Sequence, residues 1–169
     1  MFSTKFMGLI GCLIAAVATD ATKVDVSTSK EKTVSPWEET IREFEQWDAK
    51  NTPPRNAVLF VGSSSIRGWK TAQCFPELTV INRGFGGSKI PDVLDFTDRI
   101  VVKYKPRLIV FYCGDNDIAE NMTPKTVRDN FVVFAQRMAR QLPDTPIIYI
   151  TIKPSGSRWS LWPQMQQAN

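Results

Sequence analysis

Two apolar runs without polar interruption, Ala57-Val58-Leu59-Phe60-Val61 and Leu108-Ile109-Val110-Phe111-Tyr112, constrain this chain more than any other feature. A strand with one face in water alternates apolar and polar residues, so a run without alternation belongs to a strand covered on both faces. Helices on each side of a parallel sheet provide that cover, and the segments between the runs have helical spacing.

Ser35-Pro36-Trp37-Glu38 reads as a helix start, with a capping serine, proline at the first helical position and glutamate at the third. Trp37, Ile41, Phe44 and Trp47 or Asp48 then recur at helical spacing, with only the tryptophan serving the apolar face, and Asn51-Thr52-Pro53-Pro54 ends the helix. The first strand follows over Ala57 to Val61, and a second is expected over Leu78 to Ile81. Asn82-Arg83-Gly84-Phe85-Gly86-Gly87-Ser88 then reads as a glycine-rich turn, with Ser88 capping a helix whose apolar residues are Ile90, Val93, Leu94, Ile100 and Val101. Thr123-Pro124 opens another helix with Val127, Phe131, Phe134, Met138 and Leu142 on one face and Pro143 as its stop. Pro146 to Ile152 supplies a fourth strand, broken by Lys153-Pro154-Ser155. The expected architecture is one α/β domain with helices on both faces of a parallel sheet. At 169 residues, 43% hydrophobic and 22% charged, the chain is long enough for that core.

The charges, 21 basic against 17 acidic, are dispersed and read as a mixed solvated surface, so no nucleic-acid partner is expected. Cys113 closes an apolar run as a small core residue, and with Cys74 it makes neither a disulfide framework nor a metal site. No metal or other cofactor is expected. Lys5 followed by the apolar stretch Phe6 to Ala18, with Ala16-Val17-Ala18 as a cleavage site, gives residues 1–18 the form of a secretory signal, too short for a membrane span. A polar lead-in over residues 19–34 follows. The expected location is secreted or periplasmic, with no membrane span once the signal is removed. Leu9-Ile10-Gly11-Cys12 offers a lipid anchor at Cys12 as the minor alternative.

Parallel strands present their carboxyl ends together, and three of the four expected strands end in polar or glycine-rich segments. This brings Ser64, the Gly86-Gly87 turn and Asn116 into one crevice, where open α/β sheets bind ligands. Acyl transfer builds negative charge on a carbonyl oxygen and needs preorganised donors aimed at it. The backbone N–H groups of Ser64 and Gly87 and the side-chain amide of Asn116 are three such donors, and Ser64 is the candidate nucleophile. Ser64 needs a neighbouring base, yet the chain contains no histidine. Lys153 is the one alternative base, and nothing in the sequence places it within reach. The glycine spacing fits neither dinucleotide nor P-loop binding, and Gly114-Asp115-Asn116-Asp117 lacks the later ligands of a calcium loop. Asn121-Met122-Thr123 is formally a glycosylation sequon.

These blocks resemble the SGNH hydrolase superfamily, the GDSL esterases and lipases. Gly62-Ser63-Ser64-Ser65 matches its first block, with Ser63 in place of the usual aspartate. Gly87 in Asn82-Arg83-Gly84-Phe85-Gly86-Gly87 matches the second, in a form close to the platelet-activating-factor acetylhydrolase-like branch. Gly114-Asp115-Asn116-Asp117 matches the third in full. The resemblance implies a three-layer α/β/α, flavodoxin-like sheet and an ester hydrolase acting through an acyl-serine intermediate. Ser64 would be the nucleophile and Ser64, Gly87 and Asn116 the oxyanion hole. The substrate would be a small-molecule ester or an acetylated carbohydrate.

The family's Asp-x-x-His block, which supplies base and orienting acid after a fifth strand, has no counterpart. Residues 35–169 are therefore expected to form an incomplete domain without its last strand, nearly inactive as it stands. A non-catalytic carbohydrate- or ligand-binding module is the alternative. Arg67 and Trp69 are candidate substrate-binding residues at the crevice, and Lys153, Arg158 and Trp159 follow the fourth strand towards it. For these, simple packing or solvation is the competing reading.

Overall fold

A computed structural model describes residues 34–169. The expected signal segment 1–18, Cys12 and all but the last residue of the lead-in lie outside the described residues. No helix among the described residues is long and apolar enough to cross a membrane.

The sheet contains four parallel strands in the order β2-β1-β3-β4: β1 (Val58–Gly62), β2 (Val80–Gly84), β3 (Leu108–Tyr112) and β4 (Ile147–Tyr149). The two apolar runs are the central pair, as full burial requires. Within each, side chains alternate between two packed layers. Leu59, Val61, Ile109 and Phe111 join a large core with α1 (Glu38–Lys50), α4 (Ile90–Ile100), α6 (Pro124–Gln141) and α7 (Trp162–Ala168). Val58, Phe60, Val110 and Tyr112 face the opposite layer, covered by the short helices α2 (Ser64–Gly68) and α3 (Thr71–Cys74). A last short helix, α5 (Asp115–Ala119), follows β3. This is the expected three-layer α/β/α arrangement.

Several expected boundaries moved, each for a local reason. β2 runs on through Asn82, Arg83 and Gly84, which read as turn, because their polar groups are satisfied inside the fold. Asn82 Nδ2 donates to the carbonyls of Ile66 (2.7 Å) and Trp69 (3.1 Å), and its Oδ1 accepts from Gly84 N–H. Ser88 does not cap α4. It is buried and donates to the Phe85 carbonyl at 3.0 Å, while Lys89 holds the cap position and its N–H is taken by Asp92 (2.8 Å). α1 starts at Glu38 without a side-chain cap, since Ser35 is used in the preceding turn, where its carbonyl accepts from Glu38 N–H at 3.0 Å. Ile41 is fully buried on the apolar face of α1 as expected, whereas Trp47 is 55% exposed and Asp48 beside it turns inward, its side chain 10% exposed. β4 keeps only three residues of the expected Pro146 to Ile152 and forms an edge of the sheet. The α6 start is as expected: the Thr123 hydroxyl accepts from Thr126 N–H, with Pro124 in the first turn.

Candidate active site

The register aligns the ends of three strands. Gly62 of β1 pairs with Gly84 of β2 on one side and with Tyr112 of β3 on the other. Ser64, Gly87 and Asn116 therefore follow, within a few residues, three strand ends that lie level with one another. The strand order also reverses between β1 and β3, and a crevice at the carboxyl ends forms at such a switch point.

Short hydrogen bonds tie the three segments together. Ser63 N–H donates to the Tyr112 carbonyl at 3.0 Å, and Phe85 N–H to the Gly62 carbonyl at 2.9 Å. Asn116 Nδ2 donates to the Ser88 carbonyl at 2.9 Å, which places the amide beside the residue that follows Gly87. The Cys113 thiol donates to the same carbonyl at 3.2 Å. Burial pushes that thiol well above its ordinary range, so it is packed and unreactive.

The serine triplet is differentiated by the turn. Ser63 is fully buried, with its hydroxyl 3.5 Å from Asp115 Oδ1, whereas Ser64 is exposed at the first position of α2. The backbone N–H of a first helical residue has no intrahelical acceptor, so the Ser64 N–H is available to a ligand. Gly87 has φ +78° with the Trp37 ring close by: a Cβ there would approach that ring at 3.1 Å. Trp37 also packs edge-on to Phe85, with ring centroids 5.7 Å apart. Sequence periodicity had assigned Trp37 only to a helix face. No local signal in the chain pairs it with a glycine fifty residues later.

The amide of Asn116 is fixed at both ends. Its Oδ1 accepts from Arg158 Nη2 at 2.9 Å, and Arg158 Nη1 pairs with Asp115 at 2.9 Å. Flipping the amide would set its NH₂ against a guanidinium, so the nitrogen must face Ser88. One N–H of that nitrogen is used by the Ser88 carbonyl, which leaves the second without an acceptor among the hydrogen bonds of the described residues. Arg158 thus acts as a clamp on Asn116 and Asp115. Asp117 is fully buried and accepts from Ile90 N–H at 3.0 Å, joining α5 to the start of α4. Burial pushes its carboxyl up to about 6, although the Ile90 N–H pulls the other way.

Arg67 lies along the glycine turn, close enough that a Cβ on Gly86 would sit 2.6 Å from its guanidinium carbon. Trp69 packs in the smaller core against Phe60 and Phe75, with centroids 5.3 and 5.5 Å away. Trp159 is solvent-exposed. Lys153 stands beside Tyr112, its Nζ 5.5 Å from the ring centroid.

No protein-family model matches the sequence, and no curated protein does. Solved structures do match. A candidate platelet activating factor from Streptococcus pneumonia superposes with TM-score 0.63 at 24% identity, covering 71% of this chain and 56% of that one. A GDSL-like lipase from Bacteroides thetaiotaomicron matches with TM-score 0.63 at 20% identity, over 76% of this chain and 67% of the other. A mutant of Axe2, an acetyl-xylooligosaccharide esterase from Geobacillus Stearmophilus, matches with TM-score 0.53 at 14% identity, over 68% of each. The chain therefore has the fold of the GDSL-like hydrolases, and it spans little more than half the length of the streptococcal protein.

Proposed function

We propose that this chain is a serine ester hydrolase domain of the SGNH type, with Ser64 as nucleophile and the donors of Ser64, Gly87 and Asn116 receiving the oxyanion. The observation that carries this reading is the bond from Asn116 Nδ2 to the Ser88 carbonyl, 2.9 Å, across the level ends of β1, β2 and β3. It joins two of the three short sequence blocks, and the bonds of Ser63 N–H to the Tyr112 carbonyl and of Phe85 N–H to the Gly62 carbonyl tie in the first, at one edge of a fold shared with GDSL-like lipases and an acetyl-xylooligosaccharide esterase. The substrate class is a small ester or an acetylated carbohydrate. Export is proposed with it, on the signal-like pattern from Lys5 to Ala18.

In such a site the tetrahedral intermediate would form on Ser64 Oγ, and its oxygen would be held by two backbone N–H groups and one amide. Proton transfer is the step without a group to perform it, because the 169 residues include no histidine. Removing the base from a serine triad leaves only the residual catalysis of the oxyanion donors and of binding. Hydrolysis of 4-nitrophenyl acetate by this chain is therefore expected to be slow, and Ser64→Ala should change it by less than about threefold. Fast turnover abolished by Ser64→Ala would contradict the reading of a missing base. The same lack of histidine favours the second reading, a module that binds an acetylated carbohydrate without turning it over.

A further inference from the structure

A cleft of about 410 Å³ lies where Gly84 ends β2, lined also by Asn82, by the cations Arg67 and Lys70 and by the rings of Phe44 and Trp69. No acidic residue lines it. Arg67 and Lys70 are both exposed, and neither forms an ion pair with another described residue. The amide of Asn82 is committed inside the fold, to the carbonyls of Ile66 and Trp69 and the N–H of Gly84. The two cations are therefore the charged groups that the cleft offers a ligand.

Arg67 connects this cleft to Ser64. Residues three apart share a face of a helix, and Ser64 and Arg67 stand so on α2. The guanidinium lies over Gly86: a Cβ there would sit 2.6 Å from its carbon and 2.7 and 3.0 Å from its two terminal nitrogens. Glycine at 86 thus leaves room for the guanidinium one residue away from Gly87. A guanidinium presents a planar fork of N–H donors that matches a carboxylate or a phosphate. That of Arg158 is already taken by Asp115 and Asn116, whereas that of Arg67 faces no carboxylate.

We propose that Arg67 sets the specificity of this site for an ester carrying a negatively charged oxygen group, a carboxylate or a phosphate. The group sits in the cleft against the Arg67 guanidinium, with Lys70 adding a second positive charge. This inference rests on the reading of Ser64 as nucleophile and names the class of substrate that Ser64 meets.

Boron NMR of the whole chain at low ionic strength tests it, because salt screens exposed charges. The probes are 3-carboxyphenylboronic acid and its neutral isostere, 3-carbamoylphenylboronic acid. The four-coordinate signal of the charged probe is expected to saturate at a concentration about fivefold lower or more, the scale of a solvent-exposed ion pair. In Arg67→Gln the ratio of the two should fall to about one, and Arg67→Lys should recover part of it. A gain larger still with 3-phosphonophenylboronic acid would assign a phosphate in place of a carboxylate. Equal binding of charged and neutral probes by the parent chain, or a preference undiminished in Arg67→Gln, would overturn the proposal and leave Ser64 as nucleophile. No four-coordinate signal with any probe would overturn the reading of Ser64 and this inference with it.

Discussion

Gly62→Ala is expected to leave little folded protein, a loss of at least about 4 kcal/mol against a total stability of roughly 5–15 kcal/mol for a domain. Two independent causes act at this position. The backbone has φ +138°, a conformation open to glycine and strained for any residue with a side chain. A Cβ there would also lie 1.8 Å from the Tyr112 carbonyl oxygen. That oxygen cannot retreat freely, because it accepts the Ser63 N–H at 3.0 Å and belongs to a strand paired with β1. Gly68 provides the control. It ends α2 with nothing near its Cβ position, so Gly68→Ala should be neutral or stabilising by up to about 1 kcal/mol. Urea unfolding followed by circular dichroism compares the two variants.

Asp48→Ala is expected to cost about 3–5 kcal/mol, the range for removing one partner of a buried ion pair. Arg83 and Asp48 pair at 2.5 Å with side chains only 9% and 10% exposed. The Tyr104 hydroxyl accepts from Arg83 Nε at 2.6 Å and donates to Asp48 at 2.5 Å, and Lys103 adds a second cation at 2.6 Å. Without Asp48 the guanidinium stays buried between the rings of Phe44 and Tyr104, each 5.0 Å away, with its charge unmatched. Burial works against the Asp48 charge, yet Lys103, Tyr104 and Arg83 hold its carboxyl below the ordinary aspartate value of 3.8. A depressed carboxyl contributes stability that is whole above its unfolded value and is lost as pH falls through its folded one. The parent should therefore lose stability below about pH 4, and Asp48→Ala should lack that component. Replacing both partners, as Arg83→Met with Asp48→Leu, should recover much of the loss in thermal melts at neutral pH.

The strands legible in advance were those whose burial leaves a compositional mark. Residues 57–61 and 108–112 face packed layers on both sides and contain no polar residue, so they could be read almost to the residue. β2 could not, because Asn82 and Arg83 look like turn residues until their partners are known. Those partners, Ile66, Trp69, Asp48 and Tyr104, stand far off in the chain, and local sequence gives no indication of them. The same holds at the crevice. Ser64, Gly87 and Asn116 are candidates because short blocks at strand ends mark them. The contact of Trp37 with Gly87 and the Arg158 clamp on Asn116 arise from tertiary packing alone. β4 was overextended because Ile148 and Ile150 are apolar at an edge, where Ile148 remains 50% exposed.

The central claim is that Ser64 stands before a set of donors suited to a tetrahedral oxyanion, in a chain without a histidine to serve as its base. Boron NMR with phenylboronic acid tests it most directly, since a four-coordinate boronate on Ser64 Oγ needs the nucleophile and the oxyanion donors without requiring turnover. The account predicts a saturable four-coordinate signal, absent in Ser64→Ala and weakened about tenfold or more in Asn116→Ala. No such signal in the parent chain, or an equal one in Ser64→Ala, would contradict it.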